Sequence, residues 1–484
     1  LRDWLLEWFP YMFTVIFAVC SVRASLLCVH MMQLSSYQTP GYLRWLKRGW
    51  KACYTRRRKS KKPLVYTARA LRLIFVQFLL VSAFILWFLL LCPERWLTVP
   101  GLTAAYMLIP FLVILSNWIT FPIQKAINNG FINDAKRILA SMPHLAVIGV
   151  TGSYGKTSVK YILQKLLSEK YETLMTPESY NTAMGVVRTV RERLRPTHEV
   201  FVCEMGARHI GDIREICEIV KPRMGVLTAI GEQHLDTFIT LDNVVKGKYE
   251  LVESLSGTAF LNWDSEPVRQ NKRPSNSVTY ALEHPADYTV TGLSASGKGS
   301  TFTVCAPGGK TCLFTTELLG KHNALNILGA IAVAHSMGIP LQRLAAAVRG
   351  LPAVPHRLQL IRAGAYTLID DSYNANPHGV KAALDTLALF EGTKILITPG
   401  MVELGAAQDD ANREFGVQAA KVCDHVILVG RKQTLPIARG LEESGFDAVT
   451  VTGTVQEAMR AAGELGGGNG GTVVLLSNDL PDNY

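Results

Sequence analysis

A chain of 484 residues has room for two or three domains, so a single small fold is excluded. Its mean hydropathy of +0.17 is high for an enzyme wholly in water and directs attention to apolar runs long enough to cross a bilayer. The formal net charge of +11 is local, since twelve Lys and Arg and no acid lie between Tyr42 and Arg72. That placement argues against a nucleic-acid-binding surface and for contact with anionic lipid.

Taken in order, the first apolar run, from about Trp8 to Leu34, carries Arg23 and His30 and is expected either to span a membrane or to form a buried, re-entrant helix. A cleaved signal peptide fits it poorly, because no basic stretch precedes it and no small-residue cleavage site stands out. The second run, Leu73–Cys92, is uncharged and of spanning length; Trp96–Ile119 is also uncharged. The positive-inside rule puts the basic loop in the cytoplasm. It then puts the N-terminus outside, a short turn near Pro93 outside, and everything after residue 120 inside. The nine cysteines form no C-x-x-C pair and read as reduced thiols of a cytoplasmic protein.

Residues 121–144 have helical spacing of apolar positions and read as an amphipathic linker near the bilayer surface. From Leu145 the pattern becomes strand–helix–strand: LAVIGV, a Gly-rich turn, SVKYILQKLLSEK, then EVFVCEMG. This predicts an α/β fold with a parallel, doubly wound sheet. Short alternating strands near Asn262–Thr316 predict an antiparallel insertion. HNALNILGAIAVAHSMG and LQRLAAAVRGL are helical, and a second, Rossmann-like α/β unit begins after Pro352 with AYTLIDDSYNANP, KILITPG and HVILVG. The expected domains are therefore a membrane domain (1–120), a linker (121–144), a central nucleotide-binding domain (145–351) and a C-terminal domain (352–484).

GVTGSYGKTS, Gly149–Ser158, follows an apolar strand and opens a helix, the setting a phosphate-binding loop requires. Gly152, Ser153, Tyr154 and Gly155 would turn backbone N–H groups toward phosphate oxygens. Lys156 would neutralise the β/γ charge, the Thr157 hydroxyl would hold Mg²⁺, and Ser158 would complete the helix start. Five residues rather than the common four separate Gly149 from Gly155. Downstream, FVCEMG places Glu204 at the end of an apolar strand, the edge where α/β sheets bind ligands. His234 follows another strand, and Lys246 and Lys248 lie on the next helix.

Taken together, TG-x-x-GKT, the strand-end Glu204, His234 after a TAIG turn, K-x-E-L at Lys248, GKHNALNILGAIAVA and DDSYNANP resemble the Mur ligases over roughly Leu145–Tyr484. Within that family DDSYNANP, GMVELG and TPESYNTAMG are most similar to the branch that adds D-Ala-D-Ala to a UDP-linked muramoyl tripeptide. The resemblance implies an ATP-dependent ligase that joins a carboxylate to an amine through an acyl phosphate. It assigns Glu204, His234 and Lys248 to two Mg²⁺ ions, with Lys248 carbamylated and Lys246 as the competing position. It assigns Lys156, His234 and Lys248 to catalysis, Asn323 and Asn326 to adenine, Arg357 to phosphate and Asp371 to ribose. Asn181, Thr182, Tyr373 and Asn374 fall on the substrate side. The chain departs from the family pattern in having Gly400 in place of an aspartate, VVLLSNDLPDNY in place of a C-terminal KGS motif, and apolar runs in place of a soluble UDP-binding domain. A poly-γ-glutamate-type polymerising ligase, and a P-loop ATPase coupled to a membrane partner, are the alternative readings.

Overall fold

The computed structural model describes residues 2–49, 54, 63–91, 98–178, 180–231, 235–362, 366–373, 376–402, 404–466 and 471–478. It divides into two compact units, one built on Leu1–Phe131 and the other comprising Ile132–Asp479.

In the first unit three helices, Arg2–Leu34, Ala68–Leu91 and Thr98–Ala140, contain segments long and apolar enough to cross a membrane: Val15–Leu34, Ala68–Trp87 and Pro100–Ala140. Cys28, Val29, Met32, Tyr42, Leu73, Ile109 and Val113 are buried among them. Two buried polar groups are tied to backbone: the Tyr42 hydroxyl donates to the Pro110 carbonyl at 3.0 Å and Asn117 Nδ2 to the Tyr37 carbonyl at 3.2 Å. Val19, Phe75, Phe78, Trp87, Phe111 and Trp118 face outward, an apolar exterior that water would not favour. The helical spacing of residues 121–144 is seen as a continuation of the third helix, which runs to Ala140 with Pro110 and Pro122 inside it. A proline removes one backbone bond, and hydroxyls of this helix supply extra ones: Ser116 donates to the Leu112 carbonyl and Thr120 to the Ser116 carbonyl, each at 2.8 Å.

The second unit holds two sheets. The first contains β1 (Ala146–Thr151), β2 (Thr173–Met175), β3 (Val200–Glu204), β4 (Met224–Leu227), β5 (Ala259–Asn262), β6 (Ser277–Ala281), β7 (Tyr288–Ser296), β8 (Gly299–Ala306) and β9 (Lys310–Thr316). Their order is β2-β3-β1-β4-β5-β6-β7-β8-β9, parallel as far as β7 and antiparallel through β8 and β9. Because the chain leaves β1 toward β3 on one side and later returns to β4 on the other, the carboxyl end of β1 is a switch point, where such sheets bind ligands. The register pairs Val150 with Glu204, so that carboxylate stands level with the start of the Gly-rich loop. Both faces are covered, one by Ile162, Leu166, Ile327 and Ile331, the other by Val186, Ile216 and Leu251.

The second sheet contains β10 (Gln359–Arg362), β11 (Thr367–Asp371), β12 (Thr393–Thr398), β13 (His425–Val429), β14 (Val449–Thr452) and β15 (Thr472–Ser477), ordered β10-β11-β15-β12-β13-β14. Only the β10 edge is antiparallel among the described pairings. Helices Gln408–Ala420 and Leu435–Glu443 pack backbone to backbone through Gly416 and Gly440. A Cβ on Gly440 would lie 2.0 Å from the Arg413 carbonyl oxygen, and no rotamer change relieves a backbone clash. Gly440→Ala gains roughly 1 kcal/mol of helix propensity but overpacks this contact at a cost of about 1–3 kcal/mol or more. The expected net result is a lower unfolding midpoint, read by thermal or denaturant unfolding.

Candidate active site

The chain leaves β1 through Gly152 (φ 148°) and Gly155 (φ 80°) and enters helix Lys156–Leu167. Backbone packing makes glycine necessary at the first: a Cβ there would lie 3.0 Å from the Ala229 carbonyl oxygen and closer still to Thr228. The loop is held from beneath by Ser153, whose hydroxyl donates to the Gly231 carbonyl at 3.0 Å and accepts from the Gly231 N–H at 3.1 Å, and by the Thr228 hydroxyl, which donates to the Tyr154 carbonyl. Lys156 Nζ donates to the carbonyls of Gly152 (2.7 Å) and Ser153 (3.1 Å), folding the side chain over the loop. Ser158 is buried within the helix.

Glu204, 2% exposed, is the centre of the site. Its Oε1 accepts from the Thr157 hydroxyl at 3.3 Å and from Asn181 Nδ2 at 3.1 Å, and its Oε2 lies 2.9 Å from Lys160 Nζ. Burial alone pushes this carboxyl up, but Lys160 and then Lys156 outweigh it and hold it below the usual carboxylate range. Lys156 is itself pushed down to about 8 by burial, with Glu204 opposing and Arg357 adding to the fall.

Lys248 is 1% exposed and its Nζ has no hydrogen-bond partner among the described residues. Burial, reinforced by Lys156, pushes its ammonium well below the ordinary lysine range against the pull of Asp212, Glu204 and Glu250. Two residues on, Glu250 accepts from the Gly211 N–H (2.6 Å) and the Arg214 N–H (3.0 Å), so its carboxylate caps helix Asp212–Val220 and fixes the turn of helix that carries Lys248. Lys246, in contrast, is exposed. His234 lies outside the described residues.

Asn326 lies against the phosphate loop, with Oδ1 2.6 Å from where a Gly155 Cβ would be. Asn323, one turn before it, donates through Nδ2 to the Leu319 carbonyl at 2.9 Å. Arg357 is half-buried, and its guanidinium is pushed down by burial against the opposing charges of Asp371, Glu204 and Tyr373. Asp371 is buried at the end of β11, where Oδ1 accepts from the Leu358 N–H at 3.3 Å. The C-terminal part thus brings the charge of Arg357 within reach of Lys156 and Glu204, with Asp371 near that guanidinium, and the ring of Tyr154 meets that of His378 with centroids 5.4 Å apart. Thr182 caps helix Ala183–Arg193, accepting from the Gly185 N–H. Tyr373 is exposed beside His356 at 4.5 Å between rings, and Asn374 lies outside the described residues.

The residues suit a divalent cation of the magnesium type. Two oxygens in neighbouring positions around octahedral Mg²⁺ stand about 3 Å apart, close to the Thr157–Glu204 separation of 3.3 Å. Among the described residues no three His, Cys, Asp or Glu side chains cluster, which fits a cation that keeps water and phosphate oxygens as its remaining ligands. Sequence reasoning missed Lys160. Its signal was a lysine four residues after Lys156, among positions where Val159, Ile162 and Leu163 face the core.

The model of the Mur ligase middle domain matches residues 150–334, and that of the Mur ligase glutamate ligase domain matches residues 356–478. The chain is 34% identical over 311 residues to the UDP-N-acetylmuramoyl-tripeptide–D-alanyl-D-alanine ligase of Escherichia coli, covering 62% of this chain and 68% of that one. It is 32% identical over 290 residues to the Bacillus subtilis enzyme of the same name, covering 59% and 63%. Among solved structures, MurF from Acinetobacter baumannii has a TM-score of 0.65 at 24% identity, covering 73% of this chain and 78% of that one. MurF from Thermotoga maritima in complex with ADP has a TM-score of 0.65 at 24% identity, covering 72% and 80%. These two likenesses establish the fold.

Lys156→Ala removes the loop's own cation. ATP turnover by the purified variant should fall by about 10²–10³-fold, the usual cost of losing one preorganised charge contact to a reacting group, while its unfolding midpoint stays near that of the parent chain.

Proposed function

This chain belongs to the Mur ligase family of ATP-dependent, amide-bond-forming ligases, and we propose that it adds an amine such as D-alanyl-D-alanine to the peptide carboxylate of a muramoyl precursor at the cytoplasmic face of a membrane. The observation that carries this reading is the amine of Lys248, buried, without a hydrogen-bond partner among the described residues, and within reach of the charges of Lys156 and Glu204. An ammonium at such a place would repel a metal ion. A neutral amine can add to CO₂, losing a proton, and so become a carbamate whose oxygens suit a second divalent cation.

ATP lies on the Gly-rich loop in this reading, with its phosphates facing Lys156 and Arg357. Thr157 and Glu204 would hold one Mg²⁺, and carbamylated Lys248, with the family-assigned His234, would hold another. Bound there, the cations would neutralise charge between the two anionic reactants. Asn326 and Asn323 lie toward the base and Asp371 toward the ribose diol. Asn181, Thr182 and Tyr373 lie on the acceptor side, to which the family resemblance also assigns Asn374. A carboxylate oxygen of the precursor attacks the γ-phosphorus and ADP leaves. The amine then attacks the acyl carbon of the resulting acyl phosphate, loses a proton and expels inorganic phosphate. Arg357 and Asp371, brought to the loop from the second sheet, close the site and keep water from the acyl phosphate.

The membrane setting is supported by the three long apolar helices and the basic stretch Tyr42–Arg72. The full chain should sediment with membranes, and protease added to intact cells should leave the part after residue 120 uncut. Digestion of that part from outside would reverse the assigned orientation.

Lys248→Ala should lose ligation by at least about 100-fold, the upper range for groups that orient a metal's ligands, and formate or acetate should restore part of it by supplying the missing oxygen anion. Lys246→Ala should keep near-normal rates and show no rescue. Near-normal ligation by Lys248→Ala, or rescue of Lys246→Ala instead, would remove the second cation from the scheme.

A further inference from the structure

The Lys160 ammonium is fully buried, and its two partners belong to different parts of the site. Its Nζ lies 2.9 Å from Glu204 Oε2 at the end of β3, and donates at 2.6 Å to the carbonyl of Glu178 in the segment Thr176–Thr182. That segment is otherwise a tight excursion. Glu178 has a φ of 40°, the left-handed region that a glutamate occupies at a cost. It is pinned to β3 by two further bonds, from the Thr176 N–H to the Val202 carbonyl (3.0 Å) and from the Glu204 N–H to the Thr176 hydroxyl (3.0 Å). It also delivers Asn181, whose amide donates to the other oxygen of the same carboxylate.

We propose that Lys160 is a positioning residue that couples the cation-holding carboxylate of Glu204 to the acceptor-side segment Thr176–Thr182. The inference rests on the reading of Glu204 as a cation ligand. By occupying Oε2 from inside the protein, Lys160 leaves Oε1 directed at the Thr157 hydroxyl, where the cation belongs. By holding the Glu178 carbonyl with the same ammonium, it sets the segment that carries Asn181 and Thr182. Loss of the ammonium frees the carboxylate to rotate and the segment to relax together, although Lys160 touches neither nucleotide nor acceptor. Orientation of a ligand by a group behind it commonly alters metal affinity by 10–100-fold.

The test uses the full 484-residue chain in detergent micelles, with Mn²⁺ binding in the presence of ADP followed by electron paramagnetic resonance and backbone hydrogen exchange followed across residues 172–186. Lys160→Gln should weaken Mn²⁺ at least about tenfold and speed exchange in residues 176–182, with exchange in β5 and β6 unchanged. Lys160→Arg keeps the charge, but its wider guanidinium does not fit both acceptors. It should hold Mn²⁺ within about threefold of the parent chain while exchange in 176–182 still rises, and it carries the test if Lys160→Gln does not fold. Glu204→Gln separates the two ideas. If it weakens Mn²⁺ while Lys160→Gln leaves both Mn²⁺ and loop exchange unchanged, Lys160 only fills space and the inference falls. If Glu204→Gln itself leaves Mn²⁺ unchanged, the cation assignment fails and the inference falls with it. Faster exchange in Lys160→Arg at unchanged Mn²⁺ affinity supports the link to the segment; unchanged exchange in a folded Lys160→Arg overturns it.

Discussion

One buried carboxylate among several cations governs the site. Glu204 sits at the carboxyl edge of the first sheet with Lys160 at 2.9 Å, and Lys156, Arg357 and Lys248 near enough to shift or be shifted by its charge. Taking an ion pair out of water costs several kcal/mol per ion, and the pair offsets this only when geometry and extra hydrogen bonds are good. Glu204 meets that condition through Thr157 and Asn181. Burial is the main cause of the fall of Lys156 to about 8 and of Lys248 well below the ordinary lysine range, with Arg357 adding to the first and Lys156 to the second. A polyphosphate at the loop would supply negative charge to Lys156 and Arg357 in place of the hydration that burial removes.

The sheet topology brings these charges together at little conformational cost. Lys156, Thr157 and Lys160 ride on a single helix that β1 launches, and Glu204 arrives from the neighbouring strand in a register fixed by parallel pairing. Lys248 comes from a third direction, on a helix packed beneath β4 through Leu251 and held by the Glu250 cap on the adjacent helix. Each group is carried by a rigid element rather than by a free loop. Such placement is needed where a displacement of about 1 Å in a reacting geometry can cost on the order of 100-fold in rate.

What could be read from the sequence followed from local pattern. The strand-then-glycine-then-helix order around Gly152–Thr157 is a short-range signal, and β3, β11, β12 and β13 are apolar runs whose type needs no tertiary knowledge. Lys160 was illegible because a lysine in a helix is ordinarily solvated. Only the packing of Val159, Ile162 and Leu163 turns its face inward, and only parallel pairing places Glu204 opposite. Asn323 also donates through Nδ2 to the Leu319 carbonyl at its own helix start, a local bond that sequence spacing does not reveal. Pro110 and Pro122 lie within the long third helix without ending it. A single proline removes one bond from a helix whose remaining turns are intact and carry hydroxyl-to-carbonyl bonds besides.

The C-terminal sheet adds a geometric constraint of its own. Asp371 is bound through its backbone to Asn478, which also donates through Nδ2 to the Gly400 carbonyl at 2.6 Å. The ends of β11, β12 and β15 are therefore tied together where Arg357 and Asp371 meet the phosphate loop. Gly400 itself has a φ of 88°, and Met401 beside it is fixed by Asn412, which accepts from its N–H at 2.8 Å and donates to its carbonyl at 2.9 Å. In a family where an aspartate is expected at position 400, this chain substitutes a left-handed glycine and an amide-braced turn. The charge is removed from that edge, and the shape of the edge is kept by hydrogen bonds alone. An acceptor that needed a carboxylate there to steady its amine would find none at position 400.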